Sequence, residues 1–195
     1  MTLTPDQTDN YIGLDKTTTT SIIKTQDRPD LCWAAGIQML LNHENFQVSQ
    51  EQIIRQILDI KSIDDEYDRR ISGEEIGNLL KNLCFCIDGK TIRLNVTEYS
   101  IQISIDSILT ELERKKPIMI SYNKNDPYSN DNSTYGHIVV ITGANYFVSA
   151  DVKIIRQLMV LDPENKADSV LQTYSKNELH DILNSINVLW TIDVA

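Results

Sequence analysis

Cysteine is scarce in this chain: 195 residues hold three. An odd number at such low density excludes a disulfide scaffold and fits synthesis in a reducing cytoplasm. No apolar run approaches the ~18 residues of a membrane span. The N-terminus has no basic region leading into an apolar core, so no secretory signal is expected, which leaves cytoplasmic residence or leaderless export. Basic residues are outnumbered, 18 Lys+Arg against 28 Asp+Glu, for a net charge of −10. An acidic chain is repelled by nucleic acid and by anionic membranes, so neither is an expected partner. Glycine and proline are few, seven and five, and 41% of residues are hydrophobic. These are the proportions of an ordinary globular domain, long enough to bury a core without staples. There is no internal repeat, low-complexity tract or second-domain boundary.

The most informative stretch runs from Gln26 through Arg28-Pro29-Asp30-Leu31-Cys32-Trp33-Ala34-Ala35-Gly36 to Leu41. Pro29 forbids a helix before it, and Asp30 is suited to cap one after it. Apolar positions 33, 37, 40 and 41 follow the helical repeat, which puts Cys32 at the first turn of a largely buried helix. Unpaired N–H groups and the helix dipole favour a thiolate there. Gln26, six residues upstream, can fold back and offer its amide to an oxyanion. This is an arrangement for a nucleophile.

The chain has three histidines to serve as its base. His43 is eleven residues along the same helix, about 16 Å from Cys32 at the usual rise, and is excluded. His180 lies on the polar side of an amphipathic helix. His137 opens Ile138-Val139-Val140-Ile141-Thr142, a β-branched run bounded by Gly136 and Gly143 and therefore a buried strand. An imidazole at the lip of a central strand is held rigidly and partly desolvated, so His137 is the base of choice.

Gln-x5-Cys-Trp-Ala, then Gly-His before an apolar strand, then Asp162-Pro163 ending another strand, resembles the papain-like cysteine peptidases. The Cys-Trp-Ala-Ala form and the short chain look closest to the small bacterial branch, the staphopain-like enzymes and the secreted plant-pathogen effector peptidases. The resemblance covers Gln26 to the C-terminus. It implies Cys32 as nucleophile, His137 as general base and Gln26, with the Cys32 N–H, as oxyanion-hole donor. Asp162 is then the group that orients the histidine, a position that is asparagine in many plant and animal members. Asp151, in a preceding loop, is the rival for that last role. The resemblance also implies an α+β papain-like fold, with an N-terminal helical half (about 26–88) packed on a C-terminal antiparallel sheet or half-barrel (about 90–195). The expected substrate is a peptide or protein, the expected state a monomer, and neither metal nor organic cofactor is required.

Along the rest of the chain, residues 1–20 read as a flexible lead-in to a single domain spanning 21–195. Ser49-Gln50-Glu51-Gln52 and Ser72-Gly73-Glu74-Glu75 have the form of capping boxes that open helices. Residues 91–96 and 99–105 alternate as half-buried strands do. Asp106 opens a helix closed by Arg114-Lys115-Lys116, and a strand starts after Pro117. Residues 123–134 read as a loop bordering the cleft. Strands are expected at 138–142, about 144–149 and 154–161, then a helix over 175–183 and a strand over 188–192. Antiparallel pairing of the His137 and Asp162 strands sets the start of one beside the end of the other.

Bland readings compete with each of these. Trp33, Trp190 and Tyr174 read as core, and Cys84 and Cys86 as two small core residues, since on one strand they bridge only with strain. The same Cys-His-Asp constellation also serves deamidation or acyl transfer on protein side chains. A non-catalytic papain-like binding module is the third reading.

Overall fold

The computed structural model describes residues 9–58, 73–82, 84–87, 90–99, 104–125, 134–165, 170–174 and 176–194. The elements run β1 (Asn10–Gly13), α1 (Lys16–Ile22), α2 (Cys32–His43), α3 (Gln50–Leu58), α4 (Gly73–Asn82), β2 (Cys84–Ile87), β3 (Lys90–Tyr99), α5 (Ile105–Glu113), β4 (Ile118–Asn125), β5 (Thr134–Ser149), β6 (Val152–Leu161), β7 (Leu171–Tyr174), α6 (Lys176–Ser185) and β8 (Ile186–Val194). The eight strands form one antiparallel sheet in the order β2-β3-β8-β4-β5-β6-β7, with β1 added on β5. The architecture is α+β, as expected.

The run Ile138-Val139-Val140-Ile141 is apolar at every position because its strand is covered on both faces. Ile138 and Val140 join Met119 and Trp190 in a core shared with α1 to α4. Val139 and Ile141 join Ile118, Ile120 and Leu189 in a second core under α5 and α6. The helical half therefore covers only one face of the sheet, and two later helices close the other. No described helix is long and apolar enough to cross a membrane.

Several elements differ from expectation. The lead-in is part of the fold from Asn10 onward: β1 pairs with β5, and Ile12, Leu14 and Ile22 are buried. Apolar residues at alternate or helical spacing suffice to dock a segment whose composition is otherwise polar. The expected strand over 99–105 ends at Tyr99, and Ile105 already belongs to α5, capped by the Ser104 hydroxyl. Residues 100–103 and the charged connection at 64–70 lie outside the described residues. So does most of the 123–134 loop; at its margins β4 runs on to Asn125 and β5 begins at Thr134. The two strands expected at 138–149 are one sixteen-residue strand, β5. It turns back at Ala150 and Asp151, both in the left-handed region.

The capping box at Ser49 forms as expected. The Gln52 N–H donates to Ser49 Oγ at 3.1 Å, and the Ser49 N–H to Gln52 Oε1 at 2.9 Å. The second box opens at Ser72, outside the described residues.

Candidate active site

α2 is buried at nine of its twelve residues, from Trp33 to Asn42, because it is apolar nearly all round. Gly36 lets it approach the sheet closely. A Cβ there would stand 2.9 Å from both Ile138 Cγ2 and Met119 Sδ. The helix begins at Cys32, as the pattern implies, but Asp30 does not cap it. Asp30 sits at φ 62°, Leu31 takes the cap position, and no side chain caps the helix. A left-handed residue after Pro29 is a turn conformation that aspartate tolerates, and it carries the side chain out of capping geometry. The first-turn amides beside Cys32 are thus not consumed by a side-chain cap.

His137 stands near the start of β5 and is paired across the ladder with Tyr122 of β4. The two rings meet edge to face, 5.8 Å apart at 74°. His137 is 2% exposed and Asp162, just beyond β6, is 1% exposed. Nε2 of His137 lies 2.8 Å from Asp162 Oδ1. Because β5 and β6 are antiparallel, with Val140 opposite Leu161, the start of one strand meets the end of the other. Asp151, the rival, lies at the opposite end of that hairpin and is exposed.

Cys32 lies close enough to the imidazole to act on its proton, as Asp162 does. With Nε2 committed to Asp162, Nδ1 is the nitrogen left for the sulfur. Burial, the largest influence, disfavours the imidazolium. The hydrogen bonds and negative charge of Asp162 and Cys32 outweigh it and raise the His137 pKa to about 9. Burial also opposes ionisation of Asp162, yet the bond to His137 and the positive charges of His137 and Lys124 hold its carboxyl below the usual range.

The turn carrying Asp162 is pinned at several points. The Asp162 N–H donates to the Val170 carbonyl at 2.8 Å. Its Oδ1 also accepts the Glu164 N–H at 3.0 Å. Lys124 Nζ lies 3.4 Å from Asp162 Oδ2 and 2.6 Å from Glu164 Oε2. Among the described residues, His137, Asp162 and Glu164 are the one grouping with the make-up of a cation site. The Lys124 ammonium already supplies positive charge between those carboxylates.

Gln26 is half-buried in the segment joining α1 to α2. Its backbone N–H donates to the Pro163 carbonyl at 2.8 Å, which ties it to the residue following Asp162. Cys32, His137 and Asp162 are thus brought together in space, and Gln26 is joined to them through its backbone. His43 is bonded instead to Glu44 at the far end of α2, and the His180 side chain is outside the described ones. Lys124, Glu164 and Tyr122 are neighbours that reading the sequence missed. Continued alternation through Ile118, Ile120, Tyr122 and Lys124 was the signal that β4 extended to them. Gly136 is exposed, and no atom of the described residues lies within 4 Å of where a Cβ would stand.

A profile described as the Peptidase C39 like family matches residues 15–187, which takes in all four of these positions. The chain belongs to the Peptidase C39-like family. No curated protein matches the chain. Membership of the Peptidase C39-like family places the protein among cysteine peptidase types generally, in agreement with the papain-like resemblance and the α+β fold.

Proposed function

We propose that this protein is a cysteine peptidase that hydrolyses peptide or protein amide bonds through Cys32, His137 and Asp162, with Gln26 in the oxyanion hole. The observation that carries the reading is the imidazole of His137, buried, hydrogen-bonded to Asp162 and close enough to Cys32 for the sulfur to help hold its proton. At neutral pH an imidazole with a pKa of about 9 is protonated. It can therefore pair with a Cys32 thiolate and hold the proton that the leaving group needs.

Cys32 Sγ attacks the substrate carbonyl carbon, and the electron pair of the C=O bond moves to oxygen. The Gln26 amide and the Cys32 N–H receive that oxyanion. As the tetrahedral centre collapses, His137 gives its proton to the departing nitrogen, leaving an acyl thioester on Cys32. The neutral imidazole then takes a proton from water, which attacks the thioester and releases the acid. Asp162 holds the ring in register and stabilises the imidazolium each time it forms. Among papain-like enzymes, the Cys-Trp-Ala-Ala form favours kinship with the staphopain-like and effector peptidases.

The test is to incubate the protein with unfolded proteins and read the products by mass. New N-termini that vanish with Cys32→Ala support the peptidase. A shift of about one dalton on glutamine, or a crosslink, overturns it in favour of the deamidase or acyltransferase, since all three share the acyl-enzyme step. No change of any kind in the wild type favours a binding module.

A further inference from the structure

Gln50, the first residue of α3, is 2% exposed, and its side chain is spent on a segment far away in sequence. Its Oε1 accepts the Asp27 N–H at 3.0 Å, and its Nε2 donates to the Thr25 carbonyl at 2.7 Å. These two bonds bracket Gln26 on both flanks. Nε2 also donates to Gln38 Oε1 at 3.1 Å, and Gln38 Nε2 donates in turn to the Val48 carbonyl at 2.7 Å. Gln38 belongs to α2, the helix that carries Cys32. One buried amide therefore joins the segment of the oxyanion donor to the helix of the nucleophile.

We propose that Gln50 is a positioning residue for the oxyanion hole: it holds Gln26 at a fixed distance from Cys32. This rests on the reading of Gln26 and Cys32 given above. The physical need is plain. Gln26 stands in a stretch between α1 and α2 that belongs to no helix or strand, so no ladder fixes its backbone. The Gln26 N–H bond to Pro163 fixes one point, and a single point leaves the peptide planes free to turn. Donor and acceptor on one planar amide, set on Thr25 and Asp27, remove that freedom. Catalysis by a preorganised donor depends on such fixity, because a misplacement of about 1 Å costs as much as 100-fold in rate.

The experiment compares two reactions at Cys32. Alkylation by iodoacetamide is a displacement at a saturated carbon; it needs Cys32 and His137 but no oxyanion hole. Peptide hydrolysis needs both. Gln50→Met is expected to lower kcat about 10- to 100-fold, with KM and the alkylation rate close to wild type. In a Gln26→Ala background the same substitution is expected to cost nothing further, because its effect passes through Gln26. Gln38→Met, which breaks only the outer link, keeps the bracket around Gln26 and is expected to give a smaller loss of kcat, again with alkylation intact. Equal losses in hydrolysis and alkylation, or full additivity with Gln26→Ala, would overturn the proposal and leave Gln50 a structural residue. If the wild type alkylates quickly but hydrolyses no peptide, the peptidase reading fails instead, and the two failures are thereby distinct.

Discussion

The backbone N–H of Gln26 donates to the carbonyl of Pro163, 2.8 Å away. Two segments 137 positions apart in the chain, one bearing the proposed oxyanion donor and the other the carboxylate that meets His137, are thus joined directly. Side chain and backbone of Gln26 have separable duties. Gln26→Ala keeps the backbone bond and is expected to lower kcat about 10²- to 10³-fold while unfolding within about 0.5–1 kcal/mol of wild type. Gln26→Pro removes the N–H, strands the Pro163 carbonyl and is expected to lose about 1–3 kcal/mol of stability. Steady-state kinetics and urea unfolding on the two variants check this.

The His137–Asp162 pair makes stability depend on pH in a defined direction. His137 is raised from 6.5 to about 9, so the folded state binds its proton more tightly than the unfolded chain does. That contribution is complete below pH 6.5 and is lost as pH rises through about 9. Asp162 is lowered, so its contribution is present above 3.8 and is lost as pH falls through its folded value. Stability should therefore peak between these limits and decline by on the order of 3 kcal/mol toward pH 9. In Asp162→Asn the alkaline decline should largely flatten, because the bond and charge that raise His137 are gone. Urea unfolding at a series of pH values measures both. Stability that climbs from pH 6.5 to 9 would contradict the assignment.

Close packing of α2 on the sheet sets where Cys32 sits relative to His137. Gly36 is one turn beyond Cys32, and Ile138 is next to His137. Gly36→Ala would drive a methyl against Ile138 Cγ2 and Met119 Sδ at 2.9 Å, and the stiff β-branched side chain cannot swing away. The helix must lift. The expected outcome is a loss of about 1–3 kcal/mol together with a fall in kcat. Adding Ile138→Ala makes room and should recover part of the activity even as it lowers stability further. Thermal unfolding and kcat, measured on the same samples, separate the two effects.

Much of this was legible in the sequence, because the decisive signals are local. Pro29 followed by an apolar 3.6-residue repeat marks the start of α2 at Cys32. A β-branched run after Gly136 marks a central strand with His137 at its lip. The papain-like resemblance then points to Asp162, and antiparallel pairing is what sets it beside His137. What was hidden depends on tertiary partners. Gln50 reads as part of a capping box, and its bonds to Thr25 and Asp27 leave no local trace. Lys124 lies in a polar stretch that reads as loop until the ladder with β5 is known. The lead-in reads as flexible because Ile12 and Leu14 are too few to outweigh a run of threonines. Asp30 shows the limit of capping rules: a side chain of the right type sat in a left-handed residue that points it elsewhere.

The measurement that bears most directly on the central claim is the rate of Cys32 alkylation by iodoacetamide across pH, followed by intact mass in wild type and His137→Ala. Cys84 serves as the internal reference thiol. A Cys32–His137 pair predicts that one thiol reacts well ahead of the others at about pH 6–7 and loses that lead when His137 is replaced. Thiols that all react slowly and alike in the wild type, or a lead that survives in His137→Ala, would contradict it.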